Sequence, residues 1–505
     1  MKTVKNIFLL IIACGLLLTI SGCKKFLDRK PLTSTLDDLN QGGLEGQIFG
    51  LYSYHRTSYG VVSSLPFLGL HGFRSDDSEK GSDQTDGAEW SAPMDNFQYD
   101  VSFDGALQYW NDHYSLINFA NTALQTADSL GLNDPASTIN LAEARFFRAY
   151  AYFDLVRTFG EVPKIDFRVY EAAQANIEKS PVEEIYALID SDLQFAAATL
   201  PVTWGNQFAG RLTSGAAKTL HADAHMFRKN WAQTYALASE VINSGVYALY
   251  SPYWQVFKDV GENSSESIFE VQNEVTVVDD YGSIHATAQN IRQSEASGWN
   301  LGWGWNTPTQ SLYNSYEAGD PRRDATILVA GQSDDPASGG YGRVLPASVF
   351  DNPPGILFRK YYNKKVYADP AKRAALNRRD QAGWINQRLY RYAEVLLMAA
   401  ESANELDMGD EAAALLEQVR ARARGSLAVL PEVPFENKNQ MRTAIKRERR
   451  AELGMENKRF FDLVRWGDAL TVLGPLGYEH RNRYYPIPQL AIDRSQGRLV
   501  QNPEY

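Results

Sequence analysis

Cysteine is almost absent from this chain, which holds two among its 505 residues. Cys14 lies inside an apolar segment near the N-terminus, and Cys23 follows that segment directly. Because we expect the segment before Cys23 to be removed, only Cys23 remains in the mature chain. One cysteine cannot form a disulfide framework or a cysteine-ligated metal centre, so the core must hold the fold together.

The chain also lacks an excess of basic residues. Its formal net charge is −11, and removal of residues 1–22 makes it −13, because that segment carries Lys2 and Lys5 and no acid. Nucleic-acid binding needs a basic face that neutralises phosphates, so we exclude a nucleic-acid partner. After Ile20 no apolar run reaches the roughly 20 residues that span a bilayer.

The N-terminus has the pattern of a lipoprotein signal peptide. Two lysines precede an apolar run over residues 7–20, which is too short for a membrane span and fits a secretory segment. Small residues stand just before Cys23, in Ser21-Gly22-Cys23. We therefore predict a signal peptide over residues 1–22 and lipidation of Cys23, which anchors the mature protein to a membrane. The alternative is an ordinary signal peptide that ends near a cysteine by chance.

Several segments carry the 3.6-residue period of amphipathic helices. Apolar side chains recur at helical steps in residues 107–130 and 139–159, and Gly160 follows the second segment. We predict two helices in residues 211–243, split near Asn230. Two further apolar stripes, at 387–406 and 412–423, are joined by a short turn and predict an αα-hairpin.

Paired helices of this size favour a mostly α fold built of tetratricopeptide-like helical hairpins, whose repeat is about 34 residues. We place this scaffold at about 40–60, 105–250 and 386–470. A strict repeat consensus is missing, so a plain irregular helical domain remains the alternative. Loop-rich insertions occupy about 60–105 and 250–385. Loops this long in a compact protein are usually functional, so we expect the ligand contacts there.

A series of motifs, in order from Cys23 to Tyr505, resembles the SusD/RagB family. Cys23 with Phe26, Asp28 and Pro31 is similar to the lipidated start of family members. The other motifs are LAEARFFRAY at 141–150, FDLVRTFG at 153–160, RYAEVLLM at 391–398, RFFDLVRWG at 459–467 and PIPQ at 486–489. Glu504 departs from the glycine common in the last turn, and Lys24 and Lys25 stand where some surface-exported lipoproteins carry acidic residues.

The resemblance implies that residues 23–505 form one SusD-like domain. Such proteins are outer-membrane lipoproteins of Bacteroidetes, anchored by their lipid and facing the cell exterior. They bind oligosaccharides or other nutrients, catalyse no reaction, and deliver the ligand to a SusC-like TonB-dependent transporter. The motifs mark the scaffold and carry no information about which glycan is bound.

Glycan sites combine flat aromatic rings with planar polar side chains, because a sugar offers an apolar face and a rim of hydroxyls. Three tryptophans stand within seven residues and are separated by glycines that let the backbone twist. Another tryptophan follows an acidic loop that includes Asp77. The predicted ligand-binding residues are Trp90, Trp299, Trp303, Trp305, Tyr281, Tyr341, Asp77, Asn290 and Arg292. The alternative is that the tryptophans only pack the loops onto the scaffold.

Other polar clusters favour structural roles. We predict that Asp320 and Arg322 pair with each other, and that residues 446–450 form a salt-bridged helical face. His221 and His225 lie four apart on a predicted helix, but Ala222 stands where the zinc-protease pattern requires glutamate, so we predict no metal site there. The acidic loop 76–87 lacks the spacing of a calcium-binding hand loop. We expect no cofactor, with calcium at that loop as the alternative.

Three functions compete at this level. The first is glycan binding coupled to a transporter, which the resemblance favours. The second is a surface glycoside hydrolase, which needs two carboxylates about 5–10 Å apart across a cleft. The third is a SusD-like adaptor for peptides or proteins. Neither a nucleophile elbow, a phosphate loop nor a dinucleotide fingerprint occurs in its required context, so we predict a non-enzymatic binding protein.

Overall fold

A computed structural model describes residues 42–57, 61, 65–83, 85–102, 104–293, 298–347, 359–377 and 383–505. The predicted signal peptide and Cys23 lie outside these residues. The chain divides into two compact units, residues 1–47 and 48–505. The described part of the first unit is the beginning of one helix, and all later elements belong to the second. No helix among the described residues is long and apolar enough to cross a membrane.

The second unit is mainly helical, which confirms the predicted fold class. In chain order the helices are α1 Gly43–Thr57, α2 Ala88–Asn96, α3 Leu107–Ser129, α4 Pro135–Phe159, α5 Val182–Thr199, α6 Ser214–Phe227, α7 Trp231–Asn243, α8 Ile284–Gln289, α9 Gln310–Ser315, α10 Pro321–Thr326, α11 Pro370–Ala375, α12 Tyr392–Glu405, α13 Gly409–Arg424, α14 Lys438–Leu453, α15 Arg459–Trp466, α16 Ala469–Leu473 and α17 Gln489–Arg494. A helical turn at Leu65–Phe67 continues into a π-helical turn at Leu68–Gly72.

Consecutive helices pack in pairs, α3 on α4, α4 on α5, α5 on α6 and α6 on α7. Helix α4 lies in the middle of this series and is buried on almost every side, as its nearly continuous apolar surface predicts. Asp134 caps its N-terminus by accepting hydrogen bonds from the backbone N–H groups of Ala136 and Ser137, and the helix ends before Gly160. Arg148 on α4 donates to Asp192 on α5 at 2.7 Å, which fixes the pair.

The predicted αα-hairpin is present as α12 and α13. Asp407 in the intervening turn has a positive φ of 63°, which reverses the chain within a few residues. Helices α6 and α7 are likewise separated at Asn230, as predicted. Helix α12 packs on α7 and on α14, so the C-terminal hairpin closes onto the N-terminal series.

Short strands lie mainly in the two regions that the sequence predicts as irregular insertions. They are β1 Ser78–Gly81, β2 Ser267–Val271, β3 Glu274–Val275, β4 Asp280–Tyr281, β5 Trp305–Pro308, β6 Ile327–Val329, β7 Tyr361–Asn363 and β8 Gln387–Arg391. Among the described residues they form four antiparallel pairs, β1 with β5, β2 with β8, β3 with β4 and β6 with β7. Only β3 and β4 of these described strands form a hairpin, and the other three pairs join strands that are distant in the sequence. Sequence periodicity could not reveal these strands, because they are two to five residues long.

A buried ionic cluster joins the second insertion to the C-terminal helices. Arg322, at the start of α10, is fully buried and binds Asp320 at 2.8 Å and Glu452 of α14 at 3.1 Å. Arg391 at the end of β8 donates to Glu452 at 2.6 Å and to Glu266 at 2.7 Å. The structural pairing predicted for Asp320 and Arg322 is confirmed. The charged face predicted at 446–450 is partly internal, because Glu448 is buried against Arg322.

Candidate functional site

The two insertions meet around an open cleft of about 430 Å³. Its walls come from the Leu65 turn, the loop between β1 and α2, and the segment that leads into β5. The lining residues are Leu65, Asp86, Gly87, Arg292, Asn300, Gly302, Trp303 and Trp305. Three of the nine side chains predicted from sequence as ligand-binding, those of Arg292, Trp303 and Trp305, therefore lie in one cleft.

The antiparallel pair of β1 and β5 brings these walls together. Gly81 lies opposite Trp305, and the N–H of Ser82 donates to the carbonyl of Gly304 at 2.5 Å. Gly81 has a φ of +75°, and a Cβ added to it would lie 2.3 Å from the Gly304 oxygen. Glycine is therefore required at position 81 for the two insertions to approach this closely.

Trp303 is held at the cleft wall by its backbone. Its N–H donates to Thr287 at 3.0 Å, and the next N–H, of Gly304, donates to Asn290 at 2.8 Å. These bonds fix the segment against α8 and the residue that follows it. The Trp303 side chain is half-buried, so part of its ring remains open to solvent at the cleft. Trp305 is only 4% exposed and lies under the Lys80 ammonium, 4.7 Å from its ring centre.

Arg292 and Asp86 form an ion pair at the cleft wall. Arg292 also donates to Ser82 Oγ at 2.9 Å, and Ser82 donates to Asp86 Oδ2 at 2.7 Å, so the three side chains form a closed set. The side chains of Arg292 and Asp86 remain 31% and 36% exposed, which leaves polar edges available to a ligand. The pair supplies both donors and acceptors to the cleft.

Trp299 and Tyr341 lie apart from this cleft, in a separate cluster. Trp299 is 3% exposed, with the Arg343 guanidinium 4.0 Å above its ring and Tyr367 stacked 6.0 Å from it. Tyr341 is half-buried and meets Tyr367 edge to face. Both residues contribute to the packing of the second insertion.

Asn290 and Asp77 are buried and engaged in bonds within the protein. Asn290 donates to the carbonyls of Ala286 and Val366 at 2.8 and 2.7 Å. Asp77 forms an ion pair with Arg450 of α14 at 2.7 Å. These contacts attach the insertions to their surroundings.

The last two residues predicted to bind ligand are Tyr281 and Trp90. Tyr281 is 47% exposed on β4, in the small hairpin with β3. Trp90 belongs to α2, which begins directly after Gly87 at the cleft wall, and its side chain lies outside the described part of the molecule. The backbone therefore places Trp90 one helical turn from the cleft.

Asp86, Asn300 and Leu65 line the cleft without having been singled out as ligand-binding. Asp86 belongs to the acidic loop, and Asn300 flanks the tryptophan cluster. Their position beside these segments was the only feature of the sequence that could have indicated a place in the cleft. The aspartates of that loop do not converge on a common point. Within the described residues they form no group of three with ligand atoms inside 4.8 Å.

A helical-hairpin scaffold whose insertions build an open cleft, with aromatic and polar walls, defines a SusD-like class of ligand-binding protein. Two family models match this chain, one described as the SusD family over residues 265–483 and one described as starch-binding, associating with the outer membrane, over residues 74–223. The chain belongs to the SusD/RagB family.

Similar proteins extend over nearly the whole chain. SusD-like protein P2 of Formosa agariphila is 29% identical, with 97% of this chain and 98% of that protein covered. A solved structure described as a laminarin-binding SusD-like protein is 26% identical, with a TM-score of 0.74 over 92% of this chain and 99% of that one. Surface glycan-binding protein A from Bacteroides fluxus is 25% identical, with the same TM-score and the same coverage.

Proposed function

We propose that this protein is a lipoprotein on the outer face of the outer membrane that binds an oligosaccharide or polysaccharide in the cleft. It delivers this glycan to a SusC-like TonB-dependent transporter. The observation that carries the proposal is the juxtaposition of the half-exposed Trp303 ring with the exposed edges of Arg292 and Asp86. Family membership supports the anchoring and the transporter partner.

The chemistry of the cleft suits a sugar. The indole of Trp303 offers a flat apolar face for the C–H face of a pyranose ring. Arg292 donates and Asp86 accepts, so hydroxyl groups at the ring edge can bond to either side chain. Because the two charges balance each other, the cleft favours a neutral glycan over a polyanionic one.

The same lining supports binding over hydrolysis. Glycoside hydrolysis ordinarily requires two carboxylates, one acid and one base or nucleophile, on opposite sides of the bond. Among the described residues that line the cleft, Asp86 is the single carboxylate, and it is paired with Arg292. Incubation of the pure protein with glycan should therefore release no reducing ends, and their release would overturn this part of the proposal.

Laminarin is the first ligand to test, because a similar protein binds it. A protein of 26% identity binds laminarin, a neutral polysaccharide. Calorimetric titration should give saturable binding of laminarin, with starch and a peptide mixture as comparison ligands. Binding of peptides alone would replace the glycan in this proposal with a peptide.

One pair of variants tests the site. Trp303→Ala should weaken glycan binding by about 1–3 kcal/mol, the loss expected for a stacking surface by analogy with bases on aromatic side chains. Trp231→Ala, at the first residue of α7, removes another half-buried tryptophan outside the cleft and should leave affinity unchanged. Equal affinity of both variants and the wild type would exclude this cleft as the binding site.

A further inference from the structure

A second cluster of chemically active side chains lies on the helical scaffold, between α5 and α6. Asp190 on α5 faces His221 and His225 on α6, and the ligand atoms of the three residues all lie within 4.8 Å of one another. Asp190 Oδ1 lies 3.2 Å from His221 Nε2 and 3.8 Å from His225 Nε2. Among the described residues, these three form the only group of three or more histidine, cysteine, aspartate or glutamate side chains whose ligand atoms lie this close together.

The helices account for this placement. His221 and His225 are four residues apart, which places them on the same face of α6, and their ring centres are 4.5 Å apart. Helices α5 and α6 pack side by side, so the carboxylate of Asp190 reaches both rings from the neighbouring helix. The three groups are thus fixed by two rigid elements.

We propose that Asp190, His221 and His225 bind a divalent transition-metal ion, for which zinc is the natural probe. Zinc takes histidine nitrogens and carboxylate oxygens at about 2.0–2.2 Å in tetrahedral geometry, which places neighbouring ligand atoms about 3.3–3.5 Å apart. The two separations from Asp190 Oδ1 lie close to this range, so small side-chain movements complete the set. Nitrogen and oxygen ligands together favour zinc, copper or nickel over calcium or magnesium.

The cluster is accessible from solvent. It forms part of the wall of an open cleft of about 630 Å³, which is distinct from the cleft around Trp303. Gln194, Lys218 and Glu240 line the same space. Because the cleft is open to solvent, a water molecule can complete the coordination. The ion can therefore enter without any opening of the fold.

Arg228 and Asn230 set the conditions for binding. Arg228 donates to both oxygens of Asp190, at 2.9 and 2.7 Å, and also to His225 Nδ1 at 2.8 Å. A metal on Nε2 requires the ring proton on Nδ1, so Arg228 must give up its bond to His225 when the ion binds. The Asn230 amide lies 3.3 Å from Nδ1, and its oxygen can accept that proton if the amide is turned. Arg228 therefore competes with the ion and limits its affinity.

Neutral imidazole and ionised carboxylate are the forms that bind metals. A bound ion would tie α5 to α6 and stabilise the scaffold.

Titration of the purified protein with zinc chloride, after alkylation of its thiols, tests this proposal. Calorimetry should show one ion per chain, and His221→Ala and Asp190→Asn should each weaken binding at least tenfold. His480→Ala removes an exposed histidine elsewhere and should leave the affinity unchanged. Zinc binding that is equal in the wild type and in both cluster variants, or that is lost in His480→Ala, would overturn the proposal.

Thermal unfolding shows for each variant both whether it is folded and whether zinc stabilises it. An ion that binds only the folded state stabilises it by RT ln(1 + [ion]/Kd), so the Tm rises once the free ion exceeds its Kd. Saturating zinc should raise the Tm of the wild type and of His480→Ala, but not that of His221→Ala or Asp190→Asn, each measured against its own metal-free Tm. An absence of any zinc-dependent shift in the wild type would also overturn the proposal.

Discussion

Asp86 and Arg292 are 206 positions apart in the sequence and meet as an ion pair in the wall of the cleft. Each residue belongs to a different insertion, so their contact joins the two loops that build the site. The strand pair β1–β5 brings the loops together, and Ser82 bridges the two charged groups. The polar side of the cleft therefore forms only where the two insertions meet in the folded chain.

Loss of the guanidinium should weaken glycan binding. Arg292→Gln removes the charged donors at the cleft and releases Asp86, so we expect about a tenfold higher Kd, equivalent to about 1.4 kcal/mol. Arg343→Gln is the matched control, because Arg343 stacks on Trp299 away from the cleft. Unchanged affinity in Arg292→Gln would mean that aromatic stacking alone carries recognition.

A methyl group at position 81 should disturb both stability and binding. In Gly81→Ala the new Cβ meets the Gly304 carbonyl at 2.3 Å in a backbone with positive φ, so β1 and β5 must separate. We expect a loss of about 2–3 kcal/mol in the free energy of unfolding, with weaker glycan binding. Gly497→Ala has a similar φ of +82° and nothing within 4 Å, so it should cost only about 1 kcal/mol. Equal losses in the two variants, measured by urea unfolding, would contradict the close approach.

Trp299 should affect stability rather than affinity. The ring is buried between Arg343 and Tyr367, so Trp299→Ala leaves a cavity that costs about 3–5 kcal/mol of unfolding free energy. The fraction of the variant that remains folded should bind glycan as the wild type does. A large loss of affinity with wild-type stability would instead place Trp299 at the ligand.

The stability of the protein should fall as pH rises through the titration of Asp95. Burial, together with the nearby Glu79, raises the pKa of Asp95 from 3.8 to about 7. Between these pH values the folded state holds a proton that the unfolded state has released, so unfolding becomes easier as pH rises. Asp95→Asn should therefore stabilise the protein by about 1–2 kcal/mol at pH 8, after allowance for partial exposure, and by much less at pH 4. Thermal unfolding at both pH values measures this, and an equal effect at each would exclude titration of Asp95 as the cause.

Replacement of Cys23 should release the protein from the membrane. Without its thiol, Cys23→Ser cannot be acylated, so it lacks the predicted lipid anchor. We expect the variant in the soluble fraction after cell lysis, whereas Cys14→Ser should remain with the membranes. Membrane retention of Cys23→Ser would mean that another attachment exists.

Much of the scaffold could be predicted from sequence because its information is local. The apolar period marks α4, α12 and α13, and Gly160 and Asn230 mark where helices end or divide. These signals depend on residues three or four positions apart, which a sequence displays directly. The segment containing Trp303 could be chosen on similar local grounds, by its tryptophans and glycines.

Which tryptophan of that segment is buried and which is partly exposed could not be predicted from the sequence. Trp299 and Trp303 have similar neighbours in sequence, yet one is buried and the other half-exposed, because distant residues decide which ring is covered. Asp77 resembles Asp86 as a loop carboxylate, but its partner Arg450 lies 373 positions away. Contacts over such distances depend on how the insertions dock onto the helices, and no local pattern records them.

The buried ionic cluster around Arg391, Arg322 and Glu452 has a consequence for the medium in which the protein works. Counter-ions screen exposed charge pairs over about 8 Å at physiological ionic strength, but they do not reach pairs that are sealed from water. The side chains of Arg391 and Glu452 are 1% and 0% exposed. The ion pairs that attach the second insertion to its helices should therefore depend little on ionic strength. Ion pairs at the outer surface should weaken as the salt concentration rises.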